Sequence, residues 1–215
     1  MNILKNNNSN RKTDLIPLYL YIGVLICLSF IVLFIQVLIK DNQDIIDILQ
    51  LSPFIILFLA LFIRYILIII HDIKHFTKKD LLWTIIISIL SIAINYGLTT
   101  LFEYLNIEMN NQNELVRLFN NHKIYTSIIT IFIAPIVEEI VFRYSIDTVF
   151  RNNILFLVIS SFIFALMHGF GIVSIIYIIM GLCYGYLYLK TNRNIISPIL
   201  AHMLNNAFSI LLMLT

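Results

Sequence analysis

Three short stretches in the second half of this 215-residue sequence carry side chains able to do chemistry: EEIVFR at 138–143, FALMH at 164–168 and HMLNN at 202–206. Each lies within or at the edge of a long apolar run. An ionisable group at the centre of a membrane-length run costs about 2.5–3.5 kcal/mol on insertion scales, so each is by default a functional candidate. Glu139 and Arg143 are spaced i,i+4 with the acid N-terminal, the favourable order for an ion pair on a helix. Adjacent helical residues diverge by about 100°, so Glu138 faces elsewhere and is left free. The same geometry puts Phe164 and His168 on one helical face, and His202 and Asn206 on another, with Asn205 pointing away. Three helices thus each offer polar groups to a shared interior, the way sites are built in helical bundles.

A carboxylate in an apolar, partly dry pocket is a stronger base than one in water, which would let Glu138 take a proton from water. That water would attack a peptide carbonyl, and the developing oxyanion needs donors held in place beforehand. Imidazole and carboxamide N–H groups supply them, so His168, His202 and Asn206 join Glu138 as catalytic candidates. Two imidazoles with one or two carboxylates would also make a zinc site. There is no HExxH, however, and the ligands would come from three separate helices, so neither a metal ligand nor a cofactor is assigned. A serine or cysteine nucleophile has still less support. No GxSxG occurs, and Cys27 and Cys183 lie inside apolar runs, where they read as small buried hydrophobes.

The elements that must position these groups follow from composition. Of the residues 60% are apolar and 12% charged, against roughly 45–50% and about 25% for a soluble domain. The net charge of +2 is scattered between apolar runs, which excludes the basic face of a nucleic-acid binder. A bilayer core of about 30 Å takes about 20 apolar residues per helix. Seven runs qualify: Leu15–Ile39, Ile45–Ile70, Leu81–Leu101, Ile124–Phe142, Ile154–His168, Ile172–Leu189 and Ile195–Leu214. The fifth is short. Continuous runs lack the alternation of a membrane barrel, so the expected fold is an all-α polytopic transmembrane bundle of about seven spans. Lys5, Arg11 and Lys12 before the first run mimic a signal peptide, but the run is too long and lacks a small-residue cleavage pattern, so it reads as a retained span.

Seven spans put Lys5, Arg11, Lys12, Lys74, Lys78, Lys79, Arg151, Lys190 and Arg193 on one side and Lys40, Arg117 and Lys123 on the other. That asymmetry places the N-terminus in the cytoplasm and the C-terminus outside. The expected organisation is a tail over 1–14, three spans over 15–105, a polar connection over 106–123 forming a hinge or surface helix, and a four-helix core over 124–215. Elsewhere, Arg64 reads as snorkelling to an interface and Asp47 as interfacial. His71, Asp72 and His75 read as solvated, and Tyr184, Tyr186 and Tyr188 as an interfacial aromatic belt.

Taken together and in order, EEIVFR, FALMH and HMLNN, with GLCYGYLYLKTNRNIISPILAH leading into the last, resemble the CPBP family, which comprises CAAX-type prenyl endopeptidases and bacteriocin-processing or bacteriocin-immunity (Abi) proteins. The resemblance covers about Ile124 to Leu214. It implies an intramembrane glutamic endopeptidase with Glu138 as base, His168, His202 and Asn206 completing the site, and Glu139 and Arg143 supporting it. It also implies a membrane-associated peptide or protein as substrate, in a multi-pass protein of the cell membrane. The prenyl endopeptidases usually have eight spans, and the first three spans here match no such pattern. The Ile- and Asn-rich composition points to an AT-rich bacterial genome, hence to a bacterial plasma membrane and a leader, pheromone or bacteriocin rather than a prenylated protein. Two other functions fit the same residues: a non-catalytic immunity or peptide-binding protein of the same fold, and a small transporter with Glu138 as proton relay.

Overall fold

The computed structural model describes residues 13–38, 43–150 and 152–214. Lys5, Arg11, Lys12, Lys40 and Arg151, on which the orientation partly rests, lie outside them. Within that range the fold is all-helical. The elements are α1 (Ile16–Leu38), α2 (Gln43–Lys74), α3 (Lys78–Tyr104), α4 (Asn110–Asn121), α5 (Lys123–Ser145), α6 (Asn153–His168), α7 (Ser174–Lys190) and α8 (Ile196–Leu212). Four of them, α1, α2, α3 and α5, are long and apolar enough to cross a membrane, which makes this a multi-pass membrane protein. The apolar helices α6, α7 and α8 have 16, 17 and 17 residues. The polar connection folds as α4.

Local chemistry fixes the helix ends. Thr77 and Asp80 form a capping box at the start of α3. Asn152 accepts from the amides of Ile154 and Leu155 to open α6. Gly169, at φ 135°, takes a backbone conformation closed to L side chains and stops α6 directly after His168. Pro53 inside α2 has no N–H for the Leu49 carbonyl, and the Ser52 hydroxyl donates to that carbonyl instead at 2.8 Å. Where α6 and α7 pack, a Cβ built on Gly181 would lie 2.8 Å from Ser161 Cα, so only glycine permits that approach.

The two ends of the bundle are fastened by polar contacts, made at one end by residues expected to be solvated and at the other by one expected to be interfacial. At the end holding Lys74, Lys78, Lys79, Lys190 and Arg193, Asp72 is 2% exposed, accepts the Ile195 amide at 2.9 Å and pairs with His71 at 3.0 Å. A carboxylate there meets the unpaired amides and positive dipole of the α8 N-terminus, which is why it is buried rather than solvated. Arg64 is exposed, as expected of an interfacial residue, and donates to Tyr65, whose hydroxyl donates to Asp14. At the opposite end Asp47 is fully buried instead of interfacial: Gln43, Arg117 and Asn121 all donate to its carboxylate. The expected tyrosine belt is also split, with Tyr184 and Tyr188 buried and Tyr186 exposed. Cys27 is exposed on α1 and Cys183 partly buried, so neither is the fully buried hydrophobe expected.

Candidate active site

Helix α5 runs through the bundle with two turns wound wide, at Ile129–Ile133 and Ile140–Ser145, on either side of a regular stretch Ala134–Glu139. Such π turns recur at functional sites. Here the first has a sequence cause. The Ala134 amide reaches back to Ile129 rather than Thr130, and Pro135 has no N–H to offer. The Thr130 carbonyl is therefore left for another donor, and the side-chain amide of Asn206 on α8 supplies it at 2.8 Å. This contact pins α8 to α5 next to the acidic pair.

The pair then diverges as helical geometry requires. Glu139 turns into protein, with its carboxylate 3.0 Å from Arg143 Nε and its other oxygen 3.0 Å from His202 Nδ1. Arg143, fully buried, donates to the Ser160 hydroxyl at 2.7 Å and lies 5.2 Å over the Phe164 ring. Glu138 turns toward a cavity of about 330 Å³. Its Oε2 lies 3.7 Å from His168 Nε2 and 3.8 Å from His202 Nε2, and among the described residues it accepts no hydrogen bond. The glutamate is 4% exposed.

Each imidazole is oriented by its other nitrogen. His168 Nδ1 is 2.8 Å from the Phe164 carbonyl, which can only accept, so Nδ1 carries the proton. His202 Nδ1 likewise donates to the ion-paired Glu139 carboxylate. Both Nε2 atoms are thus turned to Glu138. Rings hold the histidines in place: Phe164 touches both, Tyr177 stacks on His168 at 4.5 Å, and Tyr184 stacks on His202 at 4.8 Å. Among the described residues no group of three His, Cys, Asp or Glu side chains has the geometry to hold a metal ion.

The structure brings Glu138, His168 and His202 together, with Glu139, Arg143 and Phe164 behind them. It corrects two of the expected neighbours. The partner of His202 is Glu139 rather than Asn206, because the Thr130 carbonyl engages that amide. Asn205 also lines the cavity and accepts from Asn95 of α3 at 3.3 Å, since α3 covers the side of α8 that a lone helix would expose. Tyr177 and Tyr184 were missed. Their signal was present: Tyr177, Gly181, Tyr184 and Tyr188 recur at i, i+4, i+7 and i+11 and mark the inward face of α7.

The same part of the chain is similar to known proteins. Residues 120–208 match the family model "Type II CAAX prenyl endopeptidase Rce1-like". The UPF0177 protein YajF of Lactococcus lactis subsp. lactis (strain IL1403) is 30% identical over 113 residues, 51% of this chain and 56% of that protein. "Putative membrane peptidase YdiL" of Bacillus subtilis (strain 168) is 36% identical over 90 residues, 40% of this chain and 36% of that protein. The matches thus span about half or less of these curated relatives. No solved structure matches. The matched segment runs from the end of α4 to Phe208 of α8 and contains Glu138, Glu139, Arg143, Phe164, His168, His202 and Asn206, and it is over this segment that the chain is similar to the Rce1-like CAAX prenyl endopeptidases.

Proposed function

We propose that the chain is an intramembrane endopeptidase in which residues 124–215 form the catalytic core and Glu138 is the base. One observation carries this reading: a buried carboxylate oxygen that accepts no hydrogen bond among the described residues, faced by two Nε2 atoms at 3.7 and 3.8 Å. Both separations are too long for a direct hydrogen bond and suit a water shared between the glutamate and an imidazole. Glu138 removes a proton from that water, the hydroxide adds to the peptide carbonyl, and the proton passes on to the departing amine as the C–N bond breaks. On its way the proton can be held at a neighbouring Nε2, whose N–H then faces the developing oxyanion until the amine departs. The second amide hydrogen of Asn206, whose first is held by Thr130, is a further donor. Arg143 holds the Glu139 carboxylate in place, and Glu139 keeps His202 turned the right way.

The relatives' organisms and the composition fit a bacterial plasma membrane and an unprenylated peptide substrate. The test uses purified protein in nanodiscs, a panel of membrane-associated peptides and mass-spectrometric detection of products. Glu138→Gln should slow cleavage by about 10²–10⁴. His202→Ala and Asn206→Ala should each slow it by about 10²–10³. The rate should be unchanged by a chelator. Absence of cleavage by the native chain, or an unchanged rate in Glu138→Gln, overturns the reading.

A further inference from the structure

The Glu138 cavity does not end at the glutamate. A second cavity of about 400 Å³ adjoins it, and the two share Asn95, Gln112 and Ser209 in their walls. Its long sides are two helical stripes. On α3 the stripe is Asn95, Thr99 and Glu103, and on α4 it is Gln112, Val116 and Asn120, both at i, i+4, i+8. Phe208 and Leu212 of α8 form the apolar part of the wall. A polar stripe along a membrane-length helix such as α3 is costly unless it faces protein or a wet, occupied space. The mechanism proposed above uses none of these stripes.

We infer that this second cavity is the binding groove for the peptide chain on one side of the scissile bond, and that Glu103 selects a basic residue there. The inference rests on the peptidase reading for the position of that bond. The chemistry of the walls selects the occupant. Amides and hydroxyls on both sides can pair with the N–H and C=O groups of an extended backbone, as a strand's neighbours do, whereas a prenyl chain would leave them unpaired. Among the described lining residues Glu103 carries the one charged side chain, and it is exposed near the end of α3. From Asn95, at the border with the Glu138 cavity, to Glu103 is eight residues, or about 12 Å along a helix. An extended chain covers that in about four residues. The favoured substrate is therefore an unlipidated peptide with Lys or Arg four or more residues from the bond that is cut, four being the length from Asn95 to Glu103 alone.

The test uses the full chain in nanodiscs and peptides bearing Lys, Gln or Glu at each of six positions around the cleavage point, read as cleavage rate with native protein and as binding to Glu138→Gln. Lys at one position four or more residues from the bond should bind about fivefold tighter than Glu there, the size expected of one partly exposed charge pair. Glu103→Lys should invert that preference, while Thr99→Val should weaken all peptides alike. The absence of a charge preference, or the same preference in Glu103→Lys, overturns the groove even if cleavage proceeds. Charge-selective binding to Glu138→Gln without any cleavage by native protein sustains the groove and sinks the peptidase. Tighter binding of a farnesylated peptide than of its unlipidated twin, unaffected by Gln112→Leu, also overturns it.

Discussion

Arg143 pairs with one carboxylate and Arg117 with two, and the two clusters sit at different depths in the same bundle. Arg143 and Glu139 are both wholly shielded, and their neighbours are Ser160, Phe164 and a histidine of the site. Arg117 is a third exposed and bridges Glu114, Gln50 and the buried Asp47, fastening α4 across the start of α2. The deep cluster fixes a geometry that cannot relax without stranding a charge. The shallow one has water as an alternative partner for most of its members, so it can hold α4 and also release it.

The largest effect separating them should come from Arg143→Ala. Removing one partner of a fully buried pair costs about 3–5 kcal/mol, because Glu139 keeps its burial and loses its counter-charge. Unfolding in graded SDS, followed by circular dichroism, should show a loss of that size, and a variant as stable as the native chain would break the contrast. Arg117→Ala should cost about 1–3 kcal/mol, since Asp47 retains Gln43 and Asn121. Hydrogen exchange should then rise over 110–121 and stay unchanged in α5–α8. Asn206→Ala should cost about 1–2 kcal/mol by orphaning the Thr130 carbonyl, and Asn206→Asp should not restore it, as a carboxylate cannot donate. The smallest effect belongs to pH. Hydrogen bonding to Arg117 holds the Glu114 carboxyl below its ordinary value of 4.5. Its contribution is fully present above that value and fades as pH falls through the lower folded value. Both side chains are substantially exposed, so it amounts to less than about 1 kcal/mol, read as α4 exchange that rises in acid and rises less in Glu114→Gln, where Asp47 remains as the acid-sensitive partner of α4.

What was legible in the sequence was whatever one helix decides by itself. Span length, the divergence of Glu138 from Glu139 and the Glu139–Arg143 spacing all follow from a single helical period. What depended on which helix faces which was not legible. Asp72 looks solvated until α8 brings its N-terminus over it, and Asp47 looks interfacial until α4 folds back. The tyrosines of α7 alternate in sequence, yet Tyr184 is inward because Gly181 and Gly185 set the face that packs on α6. The wide turns of α5 show the same limit: Pro135 announces a missing donor, but only the fold reveals that Asn206 replaces it.

The shortness of α6, α7 and α8 has a consequence for the lipid around them. Seventeen residues rise about 25 Å, some 5 Å less than an ordinary hydrocarbon core. Tilting makes a short helix shorter still across the membrane, so the lipid beside these three must thin or its headgroups must dip, at fractions of a kcal/mol for each ångström of mismatch. His168 is the last residue of α6, where such a dip would be deepest. A bilayer fitted to these three helices would be drawn in toward the glutamate, and the path from water to it would be shorter.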